Sequence, residues 1–135
     1  MLASIPLLIL PFALYNLAMT GAFGSGGVAA FDNTVTSLAM LSGATWQMSV
    51  GDVLIVGSLA LLFVEILKAT RTSSKTLFDH ILSMVLFIVF LIEFLLVAGA
   101  ATDVFFILMV ISFIDVVAGF TISMRTAGRD VSIGL

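Results

Sequence analysis

Four stretches of this chain run for about twenty residues with almost no charge, and that property dictates the solvent in which it folds. A helix needs about 20 predominantly apolar residues to cross roughly 30 Å of hydrocarbon. The stretches from about Leu2 to Thr20, Val50 to Ala69, Phe78 to Ala98 and Asp103 to Met124 each reach that length. Of 135 residues, 61% are hydrophobic and 10% charged, against about a quarter charged in an ordinary soluble domain. The reading is therefore all-α: one transmembrane domain over residues 1–135, an integral membrane four-helix bundle whose first partner is the lipid bilayer. The absence of cysteine removes disulfides, thiolate metal sites and cysteine nucleophiles.

The first span carries Pro6 and Pro11, each of which removes a backbone donor and bends a helix. No basic residue precedes it, so it is read as a retained helix and not a cleaved leader. Ser49 followed three residues later by Asp52 has the form of a capping box at the head of the second span, and Thr102 with Asp103 does the same for the fourth. Ala98 to Thr102 leaves room only for a tight turn, making the last two spans an antiparallel hairpin.

Orientation follows from the basic residues, which are retained on the cytoplasmic side of span ends. Lys68, Arg71 and Lys75 flank the loop between the second and third spans, Arg125 and Arg129 follow the fourth, and the long loop from Gly21 to Gln47 has none. Both termini are therefore expected inside and the long loop outside. In that loop Asp32 is expected to cap a short interfacial helix with Phe31, Val35, Leu38 and Ser42 on one face, ending at Gly43. Trp46 stands where an interfacial aromatic anchor belongs, beside the basic anchors Lys68, Arg71, Lys75 and Arg125 at the other interface.

Three acids within spans, Glu65, Glu93 and Asp115, need an explanation, because an ionisable group in hydrocarbon costs on the order of 3 kcal/mol. Gly51, Ser58 and Glu65 form one stripe on the second span, Asp79, Ser83 and Glu93 one face of the third, and Ser112, Asp115, Gly119 and Ser123 one face of the fourth. Such stripes are how helices pack on one another in lipid. With helix rise alone as a ruler, Glu93 and Asp115 are expected within about 6 Å of each other in depth, on the hairpin, where two acids share a proton or a cation. The blander role is interhelical hydrogen bonding. Glu65 with Lys68 one turn on reads as an interfacial ion pair whose side chains reach water.

His80, the one histidine, cannot build a metal site without other ligands and reads as an interfacial residue, while Tyr15 and Asn16 read as helix–helix hydrogen-bonding groups. Phe87, Phe90, Phe94, Phe106, Phe113 and Phe120 are packing or lipid-contact residues. There is no glycine-rich phosphate loop, nucleophile elbow or HExxH, and no basic patch large enough for nucleic acid. No enzyme and no cofactor is implied.

The segments VEILKATRT, DHILSM, LIEFLLV and IDVVAGFTISMRTAGRD, between Val64 and Asp130, resemble small four-helix inner-membrane proteins of proteobacteria that carry no assigned activity. The resemblance covers about half of the chain and implies a bacterial inner membrane, with no catalytic or binding residue to carry over. Small multidrug transporters share the length and span number but carry an essential acid in the first span, and here that span has none. The expected function is a non-enzymatic accessory or scaffold subunit of a membrane complex or homo-oligomer. The alternative is a small oligomeric channel or transporter that moves protons or cations past Glu93 and Asp115.

Overall fold

The protein, as a computed structural model, is described over residues 5–24, 26–70 and 74–134, with side chains over 77–125 in the last of these segments. Its elements in order are helix α1 (Ile9–Met19), a 3₁₀ turn (Gly27–Asp32), strands β1 (Thr34–Ala39) and β2 (Thr45–Ser49), helix α2 (Val50–Ala69), helix α3 (Ser74–Leu96), a second 3₁₀ turn (Ala98–Ala100) and helix α4 (Asp103–Gly134). Among the described residues three helices are long and apolar enough to cross a membrane: α2, α3 over Leu77–Leu96, and α4 over Asp103–Arg125. At 11 residues α1 is shorter than these.

Local signals account for the helix ends. The Ser49 hydroxyl accepts the Asp52 N–H at 3.2 Å and the Asp52 carboxylate accepts the Ser49 N–H at 3.0 Å, a reciprocal cap that starts α2 at Val50. Thr102 accepts the Phe105 N–H at 3.2 Å at the head of α4. The turn Ala98–Ala100 joins α3 to α4, and ring contacts Phe87–Phe113 (5.3 Å) and Phe94–Phe106 (5.6 Å) run antiparallel down that hairpin.

Helix α4 is the centre of the molecule, packed against α3 on one side and against α2 on another. Helices α2 and α4 run parallel: Gly51 near the start of α2 lies against Val104 near the start of α4, and a Cβ on Gly51 would stand 2.8 Å from a Val104 methyl. The stripes are turned into this contact, with Gly51, Ser58, Leu62, Glu65 and Ala69 buried on α2. Leu108, Ile111, Ser112 and Asp115 are buried on α4. Lipid tails are as apolar as leucine, so close backbone approach and hydrogen bonds, not the hydrophobic effect, decide which faces meet.

The segment preceding α1 and α1 itself join the two ends of this bundle. The Leu7 N–H lies 2.9 Å from Glu65 near the end of α2, while the Tyr15 hydroxyl reaches Gly99 and Thr102 between α3 and α4. Pro6 and Pro11 do not kink α1 in mid-course. Its helix begins at Ile9, and Pro11 sits in its first turn, where the missing N–H has no intrahelical partner to lose.

The expected helix between Asp32 and Gly43 does not form. The chain there is an antiparallel hairpin, with Leu38 opposite Trp46, Thr36 opposite Met48 and an irregularity between Thr34 and Thr36. The consecutive β-branched residues Thr34, Val35 and Thr36 resist helix and suit an extended strand. Gly43 turns the chain with φ +91°, closed by the Met40 N–H to Ala44 carbonyl bond at 2.7 Å. The 3₁₀ turn ahead of the hairpin places Phe31 as a buried plug, its ring stacked 4.9 Å from Tyr15.

Candidate functional site

Polar side chains gather at the two ends of the helix assembly, and each end is built differently. At the end where α4 starts, a relay of neutral groups ties three elements together. The Phe105 N–H donates to Thr102, the Thr102 hydroxyl bonds the Tyr15 oxygen at 2.6 Å, and the Tyr15 hydroxyl donates to the Gly99 carbonyl at 2.8 Å. Tyr15 is fully buried, with Phe31 stacked on it and Phe105 tilted against it at 4.9 Å. One turn along α1, Asn16 donates to the Phe12 carbonyl at 2.9 Å and to Glu93 at 3.2 Å. Tyr15 and Asn16 thus do what their chemistry suggests, and Glu93 finds its partner on α1.

That pairing corrects the expected acidic hairpin. The Phe87–Phe113 and Phe94–Phe106 contacts put Glu93 level with Ile107, eight residues before Asp115, or about 12 Å along the helix. The two carboxyls are separated by roughly twice the depth expected. They also serve different neighbours. Half-exposed Glu93 meets the Asn16 amide, whereas Asp115 is buried, beside Ser83 and in the electrostatic field of Glu65, Asp79 and Lys68.

The opposite end is charged. Lys68 lies 2.9 Å from Glu65 and 3.7 Å from Asp79, and donates to the Ile5 carbonyl at 3.0 Å. Glu65 accepts the Leu7 N–H ahead of α1 as well, a carboxylate at a helix start where orphan donors and the helix dipole favour one. The expected ion pair therefore forms, but its acid does not reach water. Glu65 is only 3% exposed, because the segment from Ile5 to Leu8 closes over it.

Around this pair lie Asp79, His80 and Ser83 on α3 and Ser112 and Asp115 on α4, all buried. His80 bonds Ser123 at 2.6 Å, stacks on Phe120 and rests on Gly119. It is a packing residue between helices and not a group at the water interface. Asp79 Oδ1, Ser112 Oγ and Asp115 Oδ2 in this region have no hydrogen-bond partner among the described residues. Among the described residues no group of His, Asp or Glu is arranged to hold a metal ion.

Of the interface anchors, Trp46 is exposed on β2 opposite Leu38, and Arg125 is exposed on α4. Lys68 is turned inward, its side chain 12% exposed. Arg71 and the Lys75 side chain lie outside the described residues. Sequence reasoning missed the role of the backbone around Ile5 and Leu7 as partner to Glu65 and Lys68. The only available signal was that both charges stand within one turn of each other at a span end. An open depression of about 330 Å³ on the other end, lined by Val28, Phe31, Asp32, Thr102 and Asp103, is walled partly by the Phe31 plug.

The charged end can hold a proton. Comparison of the chain with protein-family models, curated proteins and solved structures found no match.

Proposed function

We propose that this chain is a four-crossing protein of a bacterial inner membrane, with both termini cytoplasmic, acting as a non-enzymatic subunit or scaffold of a membrane complex or homo-oligomer. The observation that carries this reading is where the polar groups go. Tyr15, Asn16, Thr102, Glu93, Glu65, Lys68, His80 and Ser123 are each engaged in contacts between parts of this one chain. The acid-bearing faces are thus filled internally. Association with other chains falls to the apolar outer faces, which carry exposed Val56 and Phe63 on α2, Ile88 and Leu95 on α3, and Phe106 and Phe113 on α4.

Two features support the topology. Parallel α2 and α4 bring Lys68 and Arg125 to one end of the assembly, with Asp32, Asp52 and Asp103 at the other, the asymmetry expected of a positive-inside protein. The stretch from Ile5 to Met19 connects those ends, which supports a fourth crossing completed by non-helical residues and by long side chains. The charge-free hairpin then stands outside, with Trp46 at the lipid boundary.

The test is the size of the species that contains the chain. Tagged protein taken from native membranes in mild detergent is expected in a complex larger than its 14.3 kDa monomer, with itself or with other membrane subunits. A monomer both in native membranes and after purification refutes the reading. The competing reading, proton or cation flux, predicts leakage into liposomes that the Glu93→Gln, Asp115→Asn double variant abolishes.

A further inference from the structure

The charges at the basic end of the assembly do not balance. Glu65, Asp79 and Asp115 come from three different helices and are 3%, 5% and 5% exposed, and the one ammonium against them among the described residues is Lys68. Were all four ionised, the cluster would carry two uncompensated negative charges inside a bilayer. The cost of desolvating a charge forbids that, so a buried group of this kind takes up a proton.

Geometry decides which carboxyl takes it. Glu65 accepts from both the Lys68 ammonium and the Leu7 N–H at 2.9 Å on one oxygen, so a cation and a backbone donor already stand against it. Asp79 shares the same ammonium at 3.7 Å. Asp115 has no cation in contact, and its Oδ2 is buried without any hydrogen-bond partner. One turn earlier on the same face, Ser112 is 1% exposed and its hydroxyl is likewise without a partner, an oxygen free to accept a carboxyl proton. The titratable or charged groups facing Asp115 are Glu65 and Lys68 from α2 and Asp79 from α3, with His80 of α3 turned away onto Gly119 and Ser123. The described part of the first span, from Ile5 onward, contributes no charged side chain.

We propose that Asp115 is a proton-binding site, occupied at neutral pH and exchanging with water at the basic end of the protein. On exchange the O–H bond at Asp115 breaks as one forms on a water molecule, leaving a carboxylate at Asp115. The proposal needs only that the chain lie in a membrane. It stands or falls separately from assembly, which is read by the size of the native species.

Infrared spectroscopy of the full chain in phosphatidylcholine vesicles tests it directly, because a protonated carboxyl has a C=O band distinct from that of a carboxylate. At pH 7 the wild type is expected to show such a band that shifts in D₂O and disappears reversibly at high pH. Asp115→Asn, nearly isosteric, is expected to lose it, and Glu93→Gln to keep it. A band indifferent to Asp115→Asn overturns the proposal. So does a band lost in that variant but unmoved by D₂O, which describes a fixed structural acid. If Asp115→Asn does not fold, dicyclohexylcarbodiimide on the wild type replaces it. This reagent adds to protonated carboxyls, the acid proton passing to a carbodiimide nitrogen as the oxygen bonds the central carbon. An adduct mapped by mass spectrometry to Asp115 at pH 7 and lost at high pH supports the site. Adducts on other acids only, or no adduct, overturn it.

Discussion

Gly57 and Gly119 should respond to the same substitution with opposite signs. Both lie within helices, α2 and α4, where alanine is favoured over glycine by about 1 kcal/mol. A Cβ on Gly57 would meet nothing within 4 Å, so Gly57→Ala is expected to be neutral or to stabilise by up to that amount. A Cβ on Gly119 would stand 2.7 Å from His80 Cε1 and 2.8 Å from Nδ1, about 1 Å inside normal carbon contact. His80 cannot swing aside cheaply, because its Nε2 bonds Ser123 at 2.6 Å and its ring stacks on Phe120. Overpacking of this kind costs about 1–3 kcal/mol, which outweighs the propensity gain. Gly119→Ala is therefore expected to destabilise by about 1 kcal/mol, leaving the two variants about 2 kcal/mol apart. The assay is reversible unfolding in mixed micelles with increasing dodecyl sulfate, followed by helical circular dichroism. Repeating Gly119→Ala in a His80→Ala background should remove the penalty. Equal responses of the two glycines, or a penalty that survives in that background, would refute the packing argument.

Two further substitutions probe the neutral end. Tyr15→Phe keeps the rings packed but leaves the Gly99 carbonyl without its donor; a loss of about 1–2 kcal/mol is expected in the same titration, and an unchanged midpoint would mean that the relay holds nothing. A double-mutant cycle of Asn16→Ala and Glu93→Gln should return a coupling energy of about 0.6 kcal/mol, the average for such pairs in membranes, whereas strict additivity would contradict the 3.2 Å contact.

What was legible in the sequence was local or periodic. Ser49 and Asp52 announce the start of α2 because a capping box involves four consecutive residues, and the stripes from Gly51 to Glu65 and from Ser112 to Gly119 announce buried faces because helix period is fixed. The hairpin was not legible as such. Phe31, Val35, Leu38 and Ser42 match a helical face, while Thr36, Leu38, Trp46 and Met48 match the strand period equally well once the chain folds back at Gly43. Short apolar runs carry both periods, and three adjacent β-branched residues were the signal that should have decided. Helix registers were illegible for a different reason. Which residue of α3 faces Asp115 depends on the length of the 3₁₀ turn and on ring packing, neither of which helix rise contains.

The assignment of Glu65 shows how the two ends are linked. The chain ahead of α1 leaves backbone groups at Ile5 and Leu7 outside the helix, and the charged pair on α2 takes them up, Glu65 on the Leu7 N–H and Lys68 on the Ile5 carbonyl. Lys68 is thereby held at 3.7 Å from Asp79, too far for a hydrogen bond, and away from contact with Asp115. Among the described residues, the docking of the segment ahead of α1 thus draws the one ammonium at this end toward that backbone and Glu65 and not toward Asp115.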